Sequence, residues 1–104
     1  MGNMVESAKA LMPKLVEIRR DFHMYPEVSA HEVETSRKVA AYLREMGCDE
    51  VIENVNGYGV VGVIKGAHEG DVVGLRADMD ALQVQEQNEA EYKSRVDGVM
   101  HACG

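Results

Sequence analysis

Two almost uninterrupted apolar runs, residues 58–65 and 71–77, constrain the fold of this chain more than any other feature of its sequence. A strand with one face in water alternates polar and apolar side chains. These two runs lack that alternation, and its absence is typical of strands covered on both faces. Residues 51–55 precede the first run, and Asn56-Gly57 favours a tight turn between them. We therefore predict an α/β sandwich with a mixed sheet, in which a hairpin is followed by a central strand at 71–77.

Two helices are predicted before these strands. Apolar residues recur every three or four positions over residues 4–22, which places them on one helix face, and Pro13 within this stripe predicts a kink or the start of the regular helix. A capping box of Ser29 and Glu32 is predicted to begin the second helix. Gly47 is predicted to end it, because glycine is common immediately after a helix.

The composition limits the partners of the chain. Eighteen acidic residues against eleven basic ones give a net charge of −7, which repels a phosphate backbone, so we expect no nucleic-acid partner. No apolar run approaches the roughly 18–20 residues of a membrane span, and the first thirty residues lack the pattern of a secretory signal. We therefore expect no membrane partner and a cytoplasmic location. The single Phe and the absence of Trp favour a piece of a larger domain.

Two short motifs carry side chains suited to metal binding or acid–base chemistry. Asp78 and Asp80 follow the predicted third strand, and alternation places both on one face of an extended segment, where such a pair needs a cation, an arginine or a proton. The alternative is a pair of aspartates that caps a loop, with Arg76 as a neighbouring countercharge. His101 and Cys103 would also project to one side, and both residue types bind zinc. The alternative there is a surface histidine beside a small buried cysteine.

The other histidines and the second cysteine point less clearly to chemistry. Cys48, at a helix end, is interpreted as a small hydrophobic residue, and His31 and His68 as solvated side chains. His23 is interpreted either as a residue that supports a site or as a histidine at a helix end. None of these signals identifies a reaction by itself.

Four strings occur in the chain at 19–29 (RRDFHMYPEVS), 59–66 (GVVGVIKG), 74–82 (GLRADMDAL) and 98–104 (GVMHACG). In this order they resemble the amidohydrolase branch of the zinc-exopeptidase-like metallopeptidase family. That branch includes hippurate hydrolase, deacetylases of N-acyl-amino acids and of N-acetyldiaminopimelate, and hydrolases of indoleacetyl-amino acid conjugates. The strings LRADMDAL and MHACG are specific to it.

The resemblance implies the domain organisation and the roles of four residues. Residues 1–104 would be the N-terminal portion of the metallopeptidase-like catalytic domain, without the smaller lid or dimerisation domain that interrupts it. Cys103 would be a metal ligand, and Asp80 the catalytic-site carboxylate that supports the metal ligands from outside. Asp78 takes the position at which related peptidases place a histidine ligand, and His101 is a possible further contributor. The remaining ligands and the general base would lie beyond the last residue.

The resemblance also implies the reaction. The whole enzyme would be a metal-dependent amidohydrolase that cleaves the amide bond of small N-acyl-amino acids, and it would form a homodimer. Two divalent ions of zinc, manganese, nickel or cobalt would polarise the carbonyl and activate a bridging water, whose proton a downstream Glu would take. Two alternatives stay open: a truncated, inactive remnant, or a non-catalytic binding module that keeps the first half of the fold. The 104-residue chain alone is expected to be inactive.

Overall fold

The structure of the protein is a computed structural model that describes residues 2–103. Helix α1 spans Met4–Met24 and helix α2 spans Val33–Glu45. Strands β1, Glu50–Val55, and β2, Gly59–Val63, follow and pair as an antiparallel hairpin. The predicted order of two helices and a hairpin is confirmed, and with it the α/β class.

The hairpin turns at the predicted Asn-Gly pair. Asn56 and Gly57 both have positive φ, 49° and 104°, which is the backbone conformation that a tight turn demands and that these two residues tolerate. The strand register shifts between Ile52 and Val55. At Gly59 a Cβ would lie only 2.5 Å from the carbonyl oxygen of Val55, so this position accepts no side chain.

Helix α2 packs on the hairpin, and two glycines allow it to do so. Gly47 has a φ of 87° and ends the helix as predicted, after which the N–H of Cys48 donates to the carbonyl of Leu43 at 3.1 Å. At Gly62 on β2, a Cβ would lie 3.1 Å from the sulfur of Cys48 and 3.2 Å from a methyl carbon of Leu43. A side chain at this position would therefore require the side chains of Cys48 and Leu43 to move by a few tenths of an ångström.

The prediction of a central strand at residues 71–77 is wrong for the part of the chain that the structure describes. That segment belongs to no strand, and its side chains are in solvent: Val72 is 98% exposed and Leu75 is 97% exposed. An apolar run favours a strand only where a neighbouring backbone supplies hydrogen bonds and other layers cover its faces. Among residues 2–103 no segment does this for residues 71–77. The sheet described here is accordingly two-stranded and antiparallel.

Helix α1 is long and mostly exposed. It begins with Asn3, whose side-chain oxygen accepts the N–H of Val5 at 3.0 Å, and it stays helical on both sides of Pro13. Its apolar stripe remains open to solvent, with Leu11 58% and Leu15 48% exposed. Neither this helix nor any other within residues 2–103 has the length and apolar character needed to cross a membrane.

The capping box predicted at Ser29 and Glu32 is wrong. Ser29 is exposed, and Glu32 makes no side-chain capping bond to α2. The carboxylate of Glu27 caps the helix instead, accepting the N–H of Glu34 at 3.2 Å and that of Thr35 at 2.6 Å. The chain turns back on itself before α2 begins, and this turn brings the earlier carboxylate to the helix N-terminus.

Substitution of this cap is expected to weaken the start of α2. Burial alone would raise the pKa of Glu27, but hydrogen bonds from Thr35 and Glu34 and the charge of Lys38 hold it below its ordinary value of 4.5. The stabilisation is therefore complete above pH 4.5 and is lost as the pH falls through the depressed pKa. We expect Glu27→Gln to cost about 1 kcal/mol at neutral pH and to reduce the acid sensitivity.

Amide hydrogen exchange in the first turn of α2 measures this effect directly. Faster exchange at Glu34 and Thr35 in the variant at neutral pH is the expected result, with a smaller difference from the parent protein in acid. Equal exchange in the two proteins at neutral pH would show that Glu27 does not cap the helix.

Candidate functional site

A cavity of about 570 Å³ lies between the last turn of α1, helix α2, strand β2 and the two segments around residues 75–79 and 101–103. We call it the main cavity. Apolar side chains from α2 and β2 line it together with polar and ionisable side chains. The polar members and the two cysteines are Arg19, His23, Thr35, Cys48, Asp78, His101 and Cys103. The structure therefore brings three of the four predicted site residues to one cavity.

His101 presents a ring nitrogen without a partner. Its Nε2 atom is buried and accepts or donates no hydrogen bond within residues 2–103. Burial and then the charge of His23 lower the pKa of His101, opposed by a hydrogen bond to the backbone of Asp80 and by the charge of that residue. A neutral imidazole with a free ring nitrogen is the form that binds a metal ion.

Cys103 lies two residues further on, is a free cysteine and is exposed. The alternative, a surface histidine beside a buried cysteine, is therefore wrong. Cys103 is exposed, and it is His101 that has a buried ring atom. Within residues 2–103 no group of three or more His, Cys, Asp or Glu side chains is placed to hold a metal ion. The donors fit a borderline metal such as zinc, but the described residues supply only part of a coordination sphere.

The two aspartates differ in their surroundings. Asp78 is paired with Arg76, whose guanidinium donates to the carboxylate at 2.9 Å, as the countercharge interpretation predicted. Both side chains are mostly exposed, so this ion pair contributes little to stability. Asp80 is half-buried and lines, with Asp78, a second cavity of about 460 Å³. The Asp78 side chain thus borders both cavities.

His23 has a partner that sequence reasoning missed. The residue is 6% exposed, and its Nε2 atom lies 3.0 Å from each carboxylate oxygen of Glu86, 63 positions away in the chain. The backbone N–H of Ser94, followed by hydrogen bonds from His23 and Asn88, lowers the pKa of Glu86 against the effect of burial. No pattern in the sequence links residues so far apart, and the carboxylates near His23 in the chain do not contact it. His23 also lies beside His101, with 6.4 Å between ring centroids.

The remaining histidines and Cys48 have the surroundings predicted for them. His31 and His68 are exposed. Cys48 is half-buried and packs against β2, in keeping with its interpretation as a small hydrophobic residue.

Comparison with known proteins points to one family. A model of "Peptidase family M20/M25/M40" matches residues 74–104. The matched stretch contains both aspartates and the His101–Cys103 pair. It therefore includes the segments around residues 75–79 and 101–103 that line the main cavity.

Individual relatives match along nearly the whole chain. The N-acetylcysteine deacetylase of Bacillus subtilis is 44% identical over 92% of this chain, and the hippurate hydrolase of Campylobacter jejuni is 42% identical over 98%. Among solved structures, the YxeP protein of Bacillus subtilis, described as a dinuclear metal binding peptidase from the M20 family, is 44% identical over 91% of this chain, with a TM-score of 0.84. The chain spans only 25%, 26% and 27% of these three proteins. The matches confirm the resemblance found in the sequence.

Proposed function

We propose, from its kinship with the peptidase family M20/M25/M40, that this chain is the first part of the catalytic domain of a metal-dependent amidohydrolase. The substrate class is a small N-acyl-amino acid, which the deacetylase and hippurate hydrolase among its relatives support. One observation carries the proposal. The free Nε2 of His101 and the thiol of Cys103 lie on a single cavity, within the stretch that matches the family.

Each site residue has a distinct part in this proposal. Cys103 binds the metal as a thiolate, and the unpartnered nitrogen of His101 offers a second donor on the same cavity. The backbone of Asp80 hydrogen-bonds the ring of His101. The carboxylate of Asp80 orients the metal ligands without itself binding the metal. Asp78 contributes a carboxylate once Arg76 releases it.

Divalent ions, when bound, polarise the amide carbonyl and lower the pKa of a water. Two ions of zinc, manganese, nickel or cobalt type are proposed, supported by the dinuclear description of the YxeP protein. In that setting the half-buried Asp80 keeps the donors oriented when substrate enters. The general base belongs to the part of the longer protein that this chain does not span.

The 104-residue chain alone is expected to show no hydrolysis of N-acetyl- or N-benzoyl-amino acids above background. The donors among residues 2–103 do not form a three-ligand cluster, and fewer than three protein ligands do not hold a catalytic ion. Assays of the purified chain with and without added divalent metal, and with chelator, measure this. A chelator-sensitive rate from the chain alone would contradict the expectation.

The same assays on the longer protein test the proposed function itself. Chelator-sensitive release of amino acid from an N-acyl-amino acid would support it. A longer protein that binds no metal would instead favour the non-catalytic binding module or the inactive remnant.

The partners and location follow the same proposal. A homodimer in the cytoplasm, without nucleic acid or membrane, is proposed for the longer protein; the net charge of −7 supports the absence of nucleic acid. Light scattering on the purified longer protein measures the oligomeric state.

A further inference from the structure

The stretch after β2 contains no helix or strand within the described residues, only two isolated bridges. Its path is therefore held by individual hydrogen bonds and not by a regular ladder of them. The candidate metal donors His101 and Cys103 lie at the end of this stretch. What places them in the cavity must be found among those individual contacts.

Glu86 is the centre of these contacts. Its side chain is 3% exposed, and its carboxylate accepts from three donors: the Nε2 of His23 at 3.0 Å, the backbone N–H of Ser94 at 2.6 Å, and the side-chain amide of Asn88. A carboxylate only accepts, so Nε2 of His23 must carry a proton. The contact ties the last turn of α1 to the segment beginning at Ser94. The N–H of Arg95 strengthens the tie by donating to the carbonyl of Met24 at 2.8 Å.

From Ser94 the contacts continue to the candidate donors. The hydroxyl of Ser94 donates to the carbonyl of Val99 at 2.6 Å. Met100 pairs with Leu82 through two backbone hydrogen bonds of 3.0 Å, which brings the segment beside the end of the Asp78–Asp80 motif. His101 and Cys103 follow directly. Ser94 and Val99 are only five positions apart in the chain, so we expect a shift at Glu86 to reach the candidate donors.

We propose that Glu86 is a positioning residue for the metal site: through His23 and Ser94 it fixes the segment that places His101 and Cys103 on the main cavity. This inference rests on the proposed function, because it assumes that Cys103 binds the metal. Glu86 itself touches neither metal nor substrate in this proposal. Its effect is the geometry of the donors.

The carboxylate is required because all three of its partners donate. In Glu86→Gln one oxygen becomes an NH₂ group, which cannot accept and faces a donor instead. A buried donor then loses its partner, and the segment from Ser94 onward must shift to relieve the contact. Ser94 offers an independent test, since Ser94→Ala keeps its backbone N–H bond to the Glu86 carboxylate and removes the hydroxyl bonds to Val99 and to the backbone of Val96.

The experiment uses the longer protein loaded with Co²⁺, whose thiolate-to-cobalt absorption reports the geometry around Cys103. We expect Glu86→Gln and Ser94→Ala each to alter this absorption at saturating cobalt, and Glu86→Gln to weaken cobalt affinity by about 10-fold. Glu27→Gln is the matched control, because Glu27 also accepts two hydrogen bonds with its carboxylate, at the start of α2. The control is expected to leave the absorption unchanged.

If Glu86 has a purely structural role, Glu86→Gln will lower the stability of the protein and leave the absorption at saturating cobalt unchanged. This result would overturn the inference. An equal change of the cobalt absorption in Glu27→Gln would also overturn the inference, since general destabilisation would then explain the change in Glu86→Gln. If Glu86→Gln does not fold, Ser94→Ala decides alone: an unchanged absorption in that variant overturns the inference.

Cys103→Ser in the same assay separates this inference from the proposed function. Loss of the absorption in Cys103→Ser, with no change in Glu86→Gln and Ser94→Ala, would reject the positioning role and keep the metal site. Retention of the absorption in Cys103→Ser would reject the proposed function itself.

Discussion

Cys103→Ser is expected to remove bound metal and hydrolytic activity together from the longer protein. A hydroxyl is a far weaker donor than a thiolate to a borderline ion, and the Cys103 thiol is exposed on the main cavity with the free nitrogen of His101. Loss of a direct ligand should exceed the roughly 10–100-fold effects that follow changes around a ligand. Elemental analysis of bound metal, read beside the rate of amino-acid release, measures both consequences.

Two further variants serve as comparisons for this result. Asp80→Asn is expected to weaken metal affinity or activity by about 10–100-fold and to retain the ion at saturating metal, because the carboxylate supports ligands without replacing them. Cys48→Ser is the control, since Cys48 packs against β2 beside Gly62 and is expected to cost only stability. Full metal content and full rate in Cys103→Ser would show that the thiol is not a ligand.

The 104-residue chain alone is expected to be marginally stable. Its buried aliphatic residues among those described are, apart from Pro26, two alanines, Ala40 and Ala81, while Val72 and Leu75 are almost completely exposed. Exposed apolar segments without strand partners promote association between chains. We expect aggregation, or a broad and weakly cooperative thermal transition.

Calorimetry and light scattering on the isolated chain measure this, with the longer protein as the comparison. The longer protein is expected to melt cooperatively, because additional layers would cover the segment at residues 71–77 and the outer face of α1. A sharp transition from a clean monomer of the isolated chain would mean that it closes its own core.

Features that depend on neighbouring residues could be predicted well. The turn at Asn56-Gly57 and the end of α2 at Gly47 follow from backbone preferences of the residues themselves, and both have the positive φ that was expected. His101 and Cys103 lie on one cavity because they are two positions apart in an irregular, extended segment. The sequence by itself therefore determined the local elements and two of the candidate donors.

Only the tertiary structure decided the contacts between distant segments. The cap of α2 comes from Glu27 and not Ser29, because a turn in the chain brings the earlier carboxylate back to the helix. Glu86 meets His23 across 63 positions, and no periodicity or propensity reports such a separation. The apolar run at residues 71–77 has the composition of a central strand, but strands form by pairing, and the residues described here offer it no partner. Conformational preferences act over a few neighbouring residues, whereas a long-range hydrogen bond or a pair of strands forms only where the fold brings a second segment into contact.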